Sequence, residues 1–176
     1  MTPVYGLEVS YNGSTPLCGF SRERGGVSAH LYQMKGGCLR LDIIIESSRG
    51  KVEHSLHPVI PGDSLVFKFL QCPQPRRQTL SKLAHLARKP LVWRMRKRFR
   101  LGLDCRLKSG DTVRTSHPKG ATFRFMLANV PLDHARAFVM AANDKEKWHW
   151  QLPDLHPGEE LAFHIVETDW CSEPDR

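Results

Sequence analysis

The stretch CPQPRRQTLSKLAHLARKPLVWRMRKRFRL, from Cys72 to Leu101, divides the chain into two parts of similar length. It contains ten Lys or Arg residues and no Asp or Glu. Residues 1–71 carry seven basic and six acidic side chains, and residues 102–176 carry nine and twelve. The net charge of +8 therefore belongs to this segment, because its flanks sum to +1 and −3. We treat residues 72–101 as a basic connector between two nearly neutral units.

Two hydrophobic periods follow one another within the connector. The first has helical spacing and ends at Pro90, which predicts a helix over about 79–89. In the second, from Leu91 to Leu101, apolar and basic residues alternate, which predicts a strand over about 91–101. One face of this strand would carry arginines about 6.6 Å apart, from two residues of rise each. The candidate contact residues of this strip are Arg94, Arg96, Lys97, Arg98 and Arg100.

The two flanks show the alternation of apolar and polar residues that is typical of strands. In the first flank the pattern predicts strands over about 5–12, 27–34, 38–46, 51–57 and 65–69. Residues 14–26 are rich in Gly, Ser and charge, which predicts a loop. Pro61-Gly62-Asp63 predicts a tight turn before the last of these strands.

The second flank repeats the first at an offset of 96 residues. Pro61-Gly62 aligns with Pro157-Gly158, and Phe67 aligns with Phe163. These matches are among ten identical positions in 66 aligned ones. This register predicts a structural duplication, with residues 1–71 and 102–176 as two copies packed together. Strands are then expected over about 101–107, 121–129, 135–142, 147–152 and 160–167, although the alanines of 134–142 also suit a short helix. The predicted fold is mainly β, with two pseudo-repeated β-meander halves in a sandwich or barrel and one short connector helix.

Sequence motifs of catalysis are absent from the chain. The five cysteines are scattered and form no CxxC pair, and the nine histidines form no HExxH or other zinc spacing. There is no GxSxG, GxGxxG or P-loop. Asp63 and Glu159, which the repeat relates, are interpreted as turn residues rather than as an acid–base pair. We therefore expect no catalytic residue, no metal and no cofactor.

Targeting features are also absent, since no run of about 18 apolar residues and no signal-peptide pattern occurs. The prediction is a cytoplasmic protein that does not enter a membrane.

Three aromatic residues near the end of the chain are candidate protein contacts: Trp148, Trp150 and Trp170. Trp148 and Trp150 share one face of a predicted strand, so they either pack into the core or, on an open face, form a hot spot for a protein partner.

The basic strip allows three interpretations. Arginines bind phosphate in bidentate fashion, so the strip would bind nucleic acid without reading its sequence. It would equally meet acidic groups of a protein partner, or those of the second copy, whose net charge is −3. The third interpretation is structural, as a charged edge strand that prevents edge-to-edge association.

The opening LEVSYNG and the closing PGEELAFHIVETD resemble a group of small, uncharacterised bacterial β-rich proteins. The resemblance covers about 25 residues and carries over no functional residue. Small β-rich bacterial proteins of this kind often bind other proteins, including as immunity proteins paired with toxins. We therefore predict a non-catalytic protein-binding protein, in its narrower form an immunity-type inhibitor of a bacterial toxin. The alternative is a nucleic-acid-binding protein that uses the connector strand.

Overall fold

The computed structural model describes residues 4–14, 17–21, 25–34, 38–47, 50–72, 100–106, 112–117, 122–129, 134–142 and 147–168. These residues are mainly strand, in antiparallel sheets, and contain no helix. The prediction of a mainly β protein is confirmed. The connector helix predicted over 79–89 lies outside the described residues, and so do residues 91–99 of the strand predicted over 91–101; residues 100 and 101 begin the strand Arg100–Arg106.

The described residues form twelve strands. Six precede the connector: β1 (Val4–Tyr11), β2 (Leu17–Ser21), β3 (Gly25–Gln33), β4 (Leu39–Ser47), β5 (Gly50–Val59) and β6 (Ser64–Cys72). Six follow it: β7 (Arg100–Arg106), β8 (Thr112–His117), β9 (Thr122–Asn129), β10 (Ala135–Ala142), β11 (Lys147–Gln151) and β12 (Glu160–Thr168).

The strands form two six-stranded sheets, and each half of the chain contributes three strands to each. Sheet A has the order β2-β1-β6-β12-β7-β8, and sheet B has the order β11-β10-β9-β3-β4-β5. Within sheet B, β3 to β5 and β9 to β11 are meanders, whereas β6 returns to pair with β1 in sheet A. The halves meet where β6 pairs with β12 and where β3 pairs with β9. Neither half therefore has a sheet of its own.

One apolar core lies between the sheets and draws on both halves. Its members include Phe67 and Phe69 of β6, Ile43 of β4 and Val139 of β10, each at most 2% exposed. Phe67 meets Phe163 of β12 edge to face, with ring centroids 5.7 Å apart. The alternation of buried and half-buried residues along β3 shows that only one face of this strand enters the core.

The turn at Ile60–Asp63 has the geometry that its sequence predicts. The amide of Asp63 donates to the carbonyl of Ile60 over 3.1 Å. Gly62 has φ +97°, which a type II turn requires at its third position and which glycine adopts at little cost. The turn at His156–Glu159 has the same hydrogen bond, over 2.9 Å, and Gly158 has φ +89°. The interpretation of Asp63 and Glu159 as turn residues is confirmed.

The predicted loop over residues 14–26 is wrong over part of its length, because Leu17–Ser21 forms β2. The strand Thr112–His117 was likewise not predicted. Both lie at the edges of sheet A, where each pairs with a single neighbour. A short edge strand with one partner needs little apolar patterning, so its sequence signal is weak. Over residues 134–142 the repeat register correctly predicts a strand, β10, where local composition also suits a helix.

Candidate functional site: the outer face of sheet B

The outer face of sheet B is the surface that points away from the core. On β3 the residues Val27, Ala29 and Leu31 are buried, so Ser28 and His30 lie on the outer face. The strand pairing extends this assignment to the neighbours, because paired residues share a face: Met126 lies opposite Ser28, and Asp42 opposite His30. This face has two chemically different parts.

The first part is a closed set of hydrogen bonds around Asp42, which we call the Asp42 network (Tyr32, Arg40, Asp42 and Ser55). One carboxylate oxygen of Asp42 accepts from Arg40 Nε over 2.8 Å and from Ser55 Oγ over 2.6 Å. The other accepts from Tyr32 Oη over 2.7 Å. Arg40 Nη2 also donates to Ser55 Oγ over 2.8 Å, and the guanidinium lies 5.7 Å from the centre of the Tyr32 ring. The hydrogen-bond donors of this network therefore have their acceptors within the network itself.

The charge state of Asp42 follows from these contacts. The residue is only 9% exposed, and burial by itself would raise the pKa of its carboxyl. Hydrogen bonds from Ser55, Tyr32 and Arg40 outweigh burial, so the pKa lies below its ordinary value. Burial, followed by the hydrogen bond to Asp42, raises the pKa of Tyr32. Asp42 is therefore a stable carboxylate rather than a proton donor at neutral pH.

His30 lies beside this network without joining it. Its Nε2 is 3.3 Å from Ser28 Oγ. Burial, and then the positive charge of Arg124, lower the pKa of the ring, so His30 is neutral at pH 7. Within the described part of the chain no hydrogen bond joins His30 to Asp42, so Ser28, His30 and Asp42 do not form the relay that activates a serine nucleophile.

The second part lies on β9 and β10 and has an apolar centre with an arginine on each side. We call it the Met126 patch, and its members are Arg124, Met126, Arg136, Phe138 and Met140. Met126 is 40% exposed, although it is a large apolar residue in the interior of a sheet. It lies directly opposite the half-buried Phe138, and Met140 lies opposite Arg124. The ring of His149 on β11 extends the patch, with its centre 5.3 Å from that of Phe138.

Two exposed arginines flank the apolar centre of the patch. Arg124 precedes Met126 by two residues on β9, and Arg136 precedes Phe138 by two residues on β10, so all four lie on the outer face. Within the described residues neither guanidinium forms a hydrogen bond or an ion pair. Strands β9 and β10 themselves carry no Asp or Glu. An apolar centre with free arginines beside it matches the composition of protein interfaces, in which Met, aromatic residues and Arg are enriched.

The residues predicted from the sequence lie elsewhere. Arg94, Arg96, Lys97 and Arg98 are outside the described residues, and Arg100 is the first residue of β7, opposite Thr168 in sheet A. Trp150 is half-buried against the core, opposite Val139, so it contributes to packing. Trp148 lies opposite Ala141, and Trp170 is outside the described residues. Roles of the basic strip and of Trp148 and Trp170 in binding stay predictions.

The Met126 patch was not predicted, although its strands were. The alternation of TFRFMLAN and ARAFVMAA places Arg124 and Met126 on one face, and Phe123 and Phe125 on the other. Both faces contain large apolar residues, so alternation alone does not say which face is buried. The signal that separates them is the arginine on one face of each strand, because an unpaired arginine is rarely buried.

A smaller cluster of titratable groups lies where β10 begins. His134 Nε2 is 3.5 Å from Asp154 Oδ2, and the His134 and His156 rings are 6.1 Å apart. Across the described ranges, no three His, Cys, Asp or Glu side chains are arranged to hold a metal ion. In the same residues there is no helix long and apolar enough to cross a membrane.

Comparisons with known proteins return nothing: no family model, no curated protein and no solved structure matches this chain.

Proposed function

We propose that this chain is a non-catalytic protein-binding protein and that the Met126 patch is its contact surface. The observation that carries the proposal is the 40% exposure of Met126 directly opposite Phe138. An exposed large apolar residue that adjoins other partly exposed apolar residues on a sheet face is typical of protein interaction sites. Only Met34, at 38%, is comparably exposed among the described large apolar residues, and it follows the end of β3, away from the patch.

We also propose that the two halves are copies of one β-unit. In sheet B, His30 pairs with Asp42, and Met126 pairs with Phe138; adding 96 to the first pair gives the second. The same addition converts Asp42↔Ser55 into Phe138↔Gln151. Strand β6 (Ser64–Cys72) becomes β12 (Glu160–Thr168) on the same addition. These shared registers support a duplication followed by divergence of the outer face.

The narrower proposal is that the bound protein is a bacterial toxin and that this chain is its immunity-type inhibitor, acting in the cytoplasm. Its support is the resemblance of the LEVSYNG and PGEELAFHIVETD segments to small bacterial β-rich proteins. The net charge of +8 favours a partner with an acidic surface. This differs from inhibitors of nucleases, which are acidic because the nucleases they block have basic clefts.

The second candidate is binding of nucleic acid through Arg94, Arg96, Lys97, Arg98 and Arg100. The concentration of ten basic and no acidic residues in 72–101 favours it. Such binding is electrostatic, so its affinity falls steeply with salt. Four arginine contacts would give a log–log slope of about −3 to −4 between 50 and 200 mM salt. Absence of binding to single- and double-stranded DNA at 50 mM salt would exclude this candidate.

The protein-binding proposal is tested by photo-crosslinking from position 126. A benzophenone amino acid replaces Met126 in one variant and Arg106 in a control. Both residues are exposed, but Arg106 lies on the outer face of sheet A. We expect a discrete crosslinked protein from position 126 alone, and its loss when Phe138→Glu is added. Equal crosslinking from both positions, or crosslinking that Phe138→Glu leaves unchanged, would show that the patch is not the contact surface.

A further inference from the structure

We infer that the partner presents two carboxylates to Arg124 and Arg136, with an apolar side chain between them that packs on Met126 and Phe138. The inference rests on the proposed protein-binding function and specifies the chemistry of the partner. It follows from a comparison of the Met126 patch with the Asp42 network.

The two parts of the outer face hold an arginine at corresponding positions. Arg40 lies opposite Tyr32 on β3, and Arg136 lies opposite Ala128 on β9, 96 residues later in each case. Arg40 Nε donates to Asp42, two residues along its own strand. At the position two residues after Arg136 the chain has Phe138. Among the described residues, Arg136 therefore has no carboxylate in the place where Arg40 has Asp42.

The phenylalanine also changes the surroundings of that position. Asp42 accepts hydrogen bonds from Tyr32 and Ser55. Phe138 instead contacts the His149 ring and lies beside Met126. In the first half, the Asp42 network satisfies its own polar groups, so these groups offer a partner little. The second half presents apolar surface beside cationic groups that have no acceptor among the described residues. A carboxylate from another molecule would occupy the role that Asp42 has in the first half.

The spacing of the arginines defines the partner further. Residue 128 pairs with Arg136 and is four residues from Arg124, so the two arginines are separated by about 13 Å along the strands and one strand spacing across them. Their Cα atoms are thus about 14 Å apart, with Met126 and Phe138 between them. In an extended segment, residues i and i+4 lie on one face about 13 Å apart, with residue i+2 between them. A segment with acids at i and i+4 and an apolar residue at i+2 matches this arrangement.

The apolar centre argues for a protein segment rather than a nucleic acid. A nucleic-acid backbone carries a charge at every nucleotide, and its binding sites line that backbone with cations. Here the two cations are separated by a thioether and a phenyl ring, which would leave the phosphates between them unpaired. A protein segment is able to alternate acidic and apolar side chains at the required spacing.

The test is an NMR titration of the full chain with capped peptides. The peptide ETLTE carries the proposed pattern, KTLTK reverses its charge, and a twelve-nucleotide single strand of DNA represents phosphates. We expect ETLTE to shift the amide signals of β9 and β10 at millimolar concentration. Arg124→Gln and Arg136→Gln should each weaken its binding by up to about fivefold. The matched control Arg106→Gln, on sheet A, should leave it unchanged.

Three results would overturn the inference. If KTLTK binds β9 and β10 as well as ETLTE does, the carboxylates are not required, although protein binding by the patch stands. If the DNA strand shifts the same signals more strongly, the patch binds phosphate. If no peptide shifts them, the proposed chemistry is wrong, and crosslinking from position 126 separately decides whether the patch binds any protein.

Discussion

The two halves of the outer face of sheet B share a pattern of strand pairing. They differ in whether their polar side chains have hydrogen-bond partners among the described residues. In the first half Asp42 accepts hydrogen bonds from Tyr32, Arg40 and Ser55, so the polar groups are internally matched. In the second half Phe138 occupies the corresponding position, beside an exposed Met126. The difference shows that one strand arrangement can carry either a surface whose polar groups are hydrogen-bonded within the chain or a surface that is open to a partner.

The two turns before the last strand of each half differ in a similar way. Asp63 is 5% exposed and its carboxylate accepts from the Tyr11 hydroxyl, from Asn12 Nδ2 over 2.8 Å and from the amide of Ile60 over 2.9 Å. Glu159 Oε2 accepts from the exposed amide of His156 over 2.9 Å. The position that corresponds to Tyr11 holds Leu107, which has no hydroxyl to donate. The first turn is thus tied to β1 through side chains.

The largest expected effect comes from breaking the first turn. Asp63→Ala should lower the free energy of unfolding by about 3 kcal/mol, because it leaves a buried tyrosine hydroxyl, an amide and a backbone N–H without their acceptor. Glu159→Ala, the matched variant in the second half, should cost about 1 kcal/mol, since its partner amide is exposed to water. Urea denaturation followed by circular dichroism measures both. Equal losses would mean that the two turns do not differ in the way the contacts indicate.

The next effect concerns the Asp42 network. Asp42→Ala should lower the free energy of unfolding by about 2 kcal/mol, because three donors lose their common acceptor. Met126→Ala in the other half should change it by less than about 0.5 kcal/mol, since an exposed side chain contributes little to folding. Melting temperatures should therefore fall by about 4–8 °C for the first variant and hardly at all for the second. A larger loss for Met126→Ala would show that the patch is packed against something within the chain.

The pH dependence of stability tests the lowered pKa of Asp42 in the same network. The pKa of Asp42 is lower in the folded protein than its ordinary value of 3.8. Its contribution to stability is therefore fully present above that value and is lost as the pH falls through the folded pKa. The difference in unfolding free energy between the wild type and Asp42→Asn should be constant from pH 5 to 8 and shrink below about pH 4. A difference that does not change down to pH 2 would contradict the lowered pKa.

The smallest effect tests the contact between the two halves. Arg124→Gln should raise the pKa of His30, because it removes a positive charge that disfavours the imidazolium. Arg136→Gln, which removes the same charge from the other side of the patch, should leave the pKa unchanged. NMR titration of the imidazole signals measures both. If the two variants have the same effect, the influence of Arg124 on His30 is not a local one.

The strand pattern of this protein was accessible from its sequence, and the sheets were not. Alternation over TFRFMLAN and ARAFVMAA predicts β9 and β10 because the period of side chains along a strand is two. The short edge strands β2 and β8 were missed because a strand with one neighbour requires fewer apolar residues. The division of each half between two sheets depends on contacts between residues far apart in sequence. No local pattern contains that information.

The candidate site shows the same limit. The Arg-rich connector is identified from the sequence because the charge of a segment follows directly from its residue types. The Met126 patch does not stand out, because both faces of its strand carry large apolar residues in the sequence, and only the pairing with Ser28 and Phe138 brings its members together. Asp42 gave no signal of its network, since Tyr32 and Ser55 are ten and thirteen residues away.

The sequence by itself therefore determined the strand class, the turn chemistry at Pro61-Gly62 and Pro157-Gly158, and the location of the positive charge, because each depends on residues close together in the chain. The tertiary structure alone decided that Met126 lies beside Phe138 and that Tyr32 and Ser55 share the carboxylate of Asp42. Those properties arise from the lateral pairing of strands, and pairing brings together side chains that the linear order keeps apart.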